Sequence, residues 1–204
     1  MSPQSEADEE LLERVRSGDE QAFVALYRRR QGTIFRFLLH MTGSVNSAED
    51  VTQEVFLILL RDKCSYDPLR GTVAGYLFGI ARKLVLRHLE RNRALAEHGL
   101  EDFEGTLLPV LAVDADPMVD LMRREGLDQL QRAILALPKR YREVVVLCDL
   151  EEMDYLAAAE FLNCPVGTVR SRLHRARALL LDKLRQRVEP RLQVKTLKPA
   201  RSLL

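Results

Sequence analysis

Cysteine is scarce in this chain of 204 residues: Cys64, Cys148 and Cys164 are odd in number, far apart, and include no CxxC pair. That argues against a disulfide framework or a paired zinc site and fits a reducing, cytoplasmic setting. No run approaches the roughly 18 apolar residues needed to cross a bilayer, so membrane insertion is not expected. Met1 to Glu10 is polar and acidic, with neither the basic nor the apolar stretch of a signal peptide. Enzyme signatures are absent too: there is no glycine-rich phosphate loop, no HExxH and no nucleophile elbow. His40, His88, His98 and His174 are not spaced as metal ligands with one another or with the cysteines. The expectation is a protein with no catalytic residues, no cofactor and no metal.

Hydrophobic residues at 47% and charged residues at 30% supply packed cores under a solvated surface, and the length suits two small domains. The net charge of +1 hides a segregation. From Leu95 to Asp120 the only charged side chains are acidic: Glu97, Glu101, Asp102, Glu104, Asp114, Asp116 and Asp120. From Arg170 to Arg187 the balance reverses, with Asp182 as the only acid. An acidic connector therefore joins two halves, and the second half carries a basic helix.

Glycines and prolines fall between segments of helical period, and no convincing strand alternation exists, so an all-α protein is predicted. Leu11, Leu12 and Val15 mark a short first helix. Asp19 can cap a second, with Ala22, Phe23, Leu26 and Tyr27 leading on to Ile34, Phe35, Leu38 and Leu39. Ser47 with Asp50 resembles a capping box for a third helix carrying Val51, Val55, Phe56, Leu59 and Leu60. After a loop from Asp62 to Gly71, Thr72 can cap a fourth, whose stripe is Tyr76, Leu77, Ile80, Ala81, Leu84 and Leu89. Asp116-Pro117 opens the second helical domain. The run Val144 to Leu147, although β-like, sits in a longer stretch after Pro138 and reads as buried helix. The predicted layout is a first domain over 1–94, a linker over 95–119, a second domain over 120–188 and a loose basic tail over 189–204.

The most specific signal is Tyr155 to Arg177, YLAAAEFLNCPVGTVRSRLHRAR. A short helix capped by Asp154, a turn at Asn163-Cys164-Pro165 and a longer arginine-rich helix make a helix-turn-helix, whose second helix enters the DNA major groove. Asparagine suits the turn because it tolerates the left-handed conformation. Arg170, Ser171, His174 and Arg175 share one face, Arg172 and Arg177 suit phosphates, and Leu173, Ala176 and Leu180 face the core.

The stretch Leu137 to Leu180 resembles region 4 of the extracytoplasmic-function sigma factors of the sigma-70 family. The resemblance implies reading of double-stranded promoter DNA at the −35 element by Thr168, Arg170, Ser171, Arg172, His174, Arg175 and Arg177, and docking on the polymerase β flap. Ala48 to Leu60 resembles region 2.2, which implies that Asp50, Gln53, Glu54 and Leu57 bind the clamp helices of the β′ subunit. Thr72 to Arg93 resembles regions 2.3 and 2.4. This implies contact with the non-template single strand at the −10 element through Tyr66, Arg70, Tyr76, Arg82, Lys83, Arg87, His88 and Arg91, with a flipped base held by the loop from Lys63 to Gly71. Stacking and positive charge are what such a strand requires.

The chain departs from the family pattern at Asn163, where glycine is more common, at Tyr76, where tryptophan is, and at Lys83 and Arg87, which replace an asparagine and an aspartate. Residues outside about 18–94 and 120–187 are unmatched. The resemblance further implies a partner that sequesters the free chain, an anti-sigma factor, and an acidic linker running near the RNA exit path. Two rivals remain at this point. An ordinary helix-turn-helix regulator acting without being a polymerase subunit would need a strand-containing sensor domain, which the helical first half lacks. A polymerase adaptor that never touches DNA fits poorly with arginines in both halves.

Overall fold

The computed structural model describes residues 7–61, 66–97 and 117–188, and among these every regular element is helical. Loop residues 62–65, the acidic connector over 98–116 and the tail over 189–204 lie outside the described residues, so the expectations for them stand as sequence readings only.

Four helices build the first domain: α1 (Asp8–Arg16), α2 (Glu20–Thr42), α3 (Val45–Arg61) and α4 (Val73–Glu97), with a 3-10 turn at Pro68–Arg70. Helix α1 is short and is held by more than its apolar face of Leu11, Leu12 and Val15. Asp8, buried at its start, pairs with Arg29 at 2.8 Å and with Arg30, both on α2. A buried carboxylate needs such partners, because losing water without them is costly. Asp19 caps α2 as predicted, accepting from the backbone N–H of Gln21 (2.9 Å) and Ala22 (3.1 Å). The Arg14 guanidinium, with the capping bonds, holds that carboxyl below the usual aspartate range. Gly43 ends α2 at φ 75°, a conformation glycine adopts without strain.

The start of α3 differs from the reading of a box at Ser47. The helix begins at Val45, and it is Ser44 Oγ that accepts from the N–H of Ser47 at 3.2 Å. Two hydroxy residues three apart offered two caps, and the one directly after the α2 terminus was taken. Thr72 caps α4, accepting from the N–H of Gly75 at 3.1 Å. The buried stripe of α4 is Val73, Leu77, Phe78, Ala81, Leu84 and Val85, with Tyr76, Ile80 and Leu89 only partly buried. The stripe is thus rotated from the predicted one, toward Phe78 and Val85.

The second domain comprises α5 (Pro117–Leu135), α6 (Lys139–Val145) with a π-helical turn over Val146–Leu150, α7 (Tyr155–Leu162) and α8 (Val166–Val188). Val144, Val145, Val146 and Leu147 are buried in helix, as their context predicted. Burial at about 25 cal/mol per Å2 of apolar surface is what overrides their β propensity. Asp154 caps α7 through the N–H groups of Leu156 and Ala157, both at 2.9 Å, and Asn163 closes it at φ 49°, ψ 52°.

The two domains lie against each other. Phe161 of α7 meets Phe37 of α2 and Phe78 of α4 edge-on, with centroids 6.2 and 5.7 Å away. Arg82 pairs with Glu143 through contacts of 2.6 and 3.3 Å, and Arg36 pairs with Glu151 at 3.2 Å. Arg142 donates to the carbonyls of Met41 (2.6 Å), Leu137 (3.3 Å) and Leu135. Its guanidinium therefore sits where the C-terminal ends of α2 and α5 converge, satisfying carbonyls that the helices leave open and meeting two negative dipole ends.

Candidate nucleic-acid and polymerase interfaces

The α7–turn–α8 unit presents the predicted arginine face outward. Val169, Leu173, Ala176 and Leu180 are buried, so the helix rotation is fixed, and Arg170, Ser171, His174, Arg175 and Arg177 are exposed as a result. Thr168 and Arg172 are half-buried. The Ser171 hydroxyl donates to the Thr168 carbonyl at 3.1 Å, so in the free protein it is spent locally.

Three of these arginines are held by neighbours the sequence reading missed. The Arg170 guanidinium lies over the Tyr155 ring, 5.9 Å from its centroid, in cation–π contact. Arg175 stands beside the Tyr141 side chain and, with Arg140, holds that phenol below its ordinary range. Arg177 makes a forked pair with Asp149, at 3.1 and 2.5 Å, which raises the pKa of Arg177. The phosphate role read for Arg177 thus competes with a tie from α8 back to the π-helical turn. Tyr155 sits one residue past the Asp154 cap and the helix-turn-helix geometry folds α7 onto α8, so its meeting with Arg170 was the most findable of the three.

The α3 face also matches its prediction in exposure. Asp50, Gln53 and Glu54 are exposed, and Leu57 is 49% exposed between charged neighbours. Glu54 pairs with Arg87 across at α4, at 3.1 Å and largely in solvent. Leu57 thus shares its exposed face with Asp50, Gln53 and Glu54.

On α4 and its preceding loop the predicted residues divide. Arg70, Lys83, Arg87 and Arg91 are exposed. His88 is half-buried beside Asn92 at 3.1 Å, and burial holds its pKa down. Tyr66, read as a −10 contact, is instead inside the domain at 7% exposure. Its hydroxyl donates to the Gly71 carbonyl at 3.0 Å, its own carbonyl accepts from Arg16 at 2.7 Å, and its ring lies 5.7 Å from that of half-buried Tyr76. These contacts brace the loop around the 3-10 turn, whose tip, Leu69, is 96% exposed. Arg82 points toward the second domain and Glu143, away from the outer surface where the sequence reading put it.

A helix-turn-helix with an outward arginine face, joined to a helical bundle that bears an acidic face on one helix and a basic one on the next, defines a DNA-binding component of a transcription machinery. Family comparison agrees: residues 26–95 match Sigma-70 region 2 and residues 127–180 match Sigma-70, region 4. The ECF RNA polymerase sigma-E factor of Haemophilus influenzae is 34% identical over 183 residues, covering 87% of this chain and 95% of that protein. The ECF RNA polymerase sigma factor SigE of Mycolicibacterium smegmatis is 35% identical over 173 residues, 82% of this chain, which spans 65% of that relative's length. Among solved structures, the sigma factor RpoE of Bartonella quintana, in complex with the anti-sigma factor NepR, is similar in fold, with a TM-score of 0.56 at 22% identity over 78% of this chain and 94% of that one. The chain belongs to the sigma-70 family and is an RNA polymerase sigma factor of the extracytoplasmic-function type.

Proposed function

We propose that this sigma factor reads promoter DNA with two separate faces. The −35 reader is the start of α8: Arg170, His174 and Arg175 address base edges, while Thr168, Ser171, Arg172 and Arg177 contact or shape the approach to phosphates. The −10 reader is α4 with its loop: Arg70, Lys83, Arg87 and Arg91 supply charge, Arg82 joins them once the domains separate, and Tyr76 and His88 offer planar surfaces at the edge of the bundle. Tyr66 supports the loop from inside. Asp50, Gln53, Glu54 and Leu57 of α3 dock on the β′ clamp helices, and the second domain docks on the β flap. An anti-sigma factor is the natural inhibitor, by analogy with the structural neighbour in complex with NepR.

The observation that carries this reading is the pairing, in one chain, of exposed Arg170, His174 and Arg175 on a fixed recognition helix with exposed Leu57 among acids on α3. Its test is a gel shift on promoter fragments with and without core polymerase, repeated with Asp50→Arg. The expected result is specific retention that needs core and is weakened by Asp50→Arg. Core binding undiminished by Asp50→Arg overturns the α3 assignment. Specific retention without core supports the helix-turn-helix regulator instead.

A further inference from the structure

Of the arginines on the outward face of α8, Arg177 is the one paired with an acid. Its guanidinium forks onto the Asp149 carboxylate at 3.1 and 2.5 Å and so ties α8 to the π-helical turn over Val146–Leu150. That turn departs from regular helix: the Glu151 N–H donates to the Val146 carbonyl at 2.9 Å, and Glu152 follows at φ 52°, which side chains other than glycine rarely adopt. π-Helical turns are uncommon and occur mostly at functional sites. The pKa of Arg177 is raised, chiefly by Asp149 and further by the Tyr155 phenol beside it. The same Tyr155 carries the Arg170 guanidinium over its ring, 5.9 Å from the centroid. Arg170 and Arg177 are seven residues apart, two turns of one helix face and about 10 Å along the axis. Asp149, Arg177, Tyr155 and Arg170 therefore make one run of contacts from the π-helical turn to the start of the recognition helix.

Two roles compete for Arg177. A phosphate would need the same pair of N–H donors that the carboxylate already takes, because guanidinium meets both anions in the same forked geometry. Moving Arg177 to a phosphate would also leave Asp149 uncovered beside a polyanion. If the fork persists on DNA, Arg177 adds no phosphate contact, and its work is to hold Tyr155 in place.

We infer that Asp149 and Arg177 are positioning residues of the −35 reader: their fork fixes Tyr155 under Arg170, so that Arg170 meets its base pair already oriented, while Arg177 itself makes no phosphate contact. The role rests on the −35 reading of α8. A free arginine loses conformational entropy when DNA immobilises it, and a guanidinium held over a ring has lost part of that entropy beforehand.

The test uses the full chain bound to core polymerase, on a promoter that this holoenzyme selects from a randomised library and on its single-base variants across −35. Arg170→Ala and Arg175→Ala first identify the positions that those two residues read. At the Arg170 position, Asp149→Ala and Arg177→Ala are each expected to lower discrimination about fivefold, with the slope of log affinity against log salt unchanged. The Arg175 position is expected to keep its preference, which a general loosening of α8 would not allow. The charge swap Asp149→Arg/Arg177→Asp is expected to restore most of the discrimination, although it puts an acid where a phosphate contact needs a base. In a Tyr155→Leu background, Arg177→Ala is expected to have no further effect. Helical circular dichroism establishes that each variant is folded. Asp149→Ala binding more tightly with a slope steeper by about one, or Arg177→Ala flattening the slope by about one with preference intact, makes Arg177 a phosphate contact and overturns the positioning role. A charge swap no better than either single change overturns it too. If Arg170→Ala and Arg175→Ala leave every −35 preference intact, the −35 reading itself fails and takes the positioning role with it, a result distinct from the others.

Discussion

Replacing Arg142 with leucine removes one side chain from the junction of two helix ends. In the structure its guanidinium bonds the carbonyls of Met41, Leu135 and Leu137, while its Nε is buried without a partner. Hydrogen bonds that involve a charged group contribute about 1.5–3 kcal/mol each, so three amount to roughly 4.5–9 kcal/mol. Against this stand about 1–3 kcal/mol for the unsatisfied Nε and a desolvation cost that shows in the lowered pKa of the guanidinium. Subtraction leaves roughly 1.5–8 kcal/mol before desolvation, a range that brackets the about 3–5 kcal/mol lost when a buried charged network is broken, and a loss of about 3–5 kcal/mol is expected. Urea unfolding followed by circular dichroism should show a loss of that size for Arg142→Leu. Arg142→Lys, with a compact point donor that cannot span three carbonyls, should retain about half. A loss under about 1 kcal/mol for Arg142→Leu would refute the role assigned to the guanidinium.

Other outcomes follow from the same contacts. Arg175→Ala should cost about 1–3 kcal/mol at one or two −35 positions and relax preference there, measured as holoenzyme affinity across a substituted promoter panel. Asn163→Val should destabilise the protein by about 1–2 kcal/mol in urea unfolding, because its left-handed backbone penalises a branched side chain, whereas Asn163→Gly should be nearly neutral. Burial, with Arg36 nearby, holds the pKa of His40 below its ordinary value of 6.5, so the folded state favours neutral histidine. The stability it contributes is complete above about pH 6.5 and is lost as pH falls from there toward the depressed value. Melting temperatures at pH 7.5 and 5.5 should therefore differ less in His40→Phe than in the wild type, the remaining difference coming partly from His88, which is shifted the same way. An undiminished difference would refute the assignment to His40.

Local signals were the legible ones. The caps Asp19, Thr72 and Asp154 and the turn residue Asn163 act within a few residues of themselves, so their chemistry shows in the sequence. The outward face of α8 was legible for the same reason, since Leu173, Ala176 and Leu180 set its rotation by period alone. What escaped depends on partners distant in the chain. Arg82 and Glu143 are 61 residues apart, Arg142 and Met41 are 101 apart, and no periodicity relates them. Two domains legible one at a time gave no sign that their inner faces meet. Tyr66 looked available for stacking because it lies in a polar loop, yet the Gly71 carbonyl and Arg16 draw it inward. At α3 the local signal itself was ambiguous, as Ser44 and Ser47 were both suitable caps and only the α2 terminus decided between them.

The most direct measurement is run-off transcription by core polymerase, with and without the purified chain, over a pooled library of randomised promoters. The account predicts initiation only when the chain is present, from templates sharing one motif near −35 and another near −10. Initiation that is absent or unselective with the chain bound to core would contradict it.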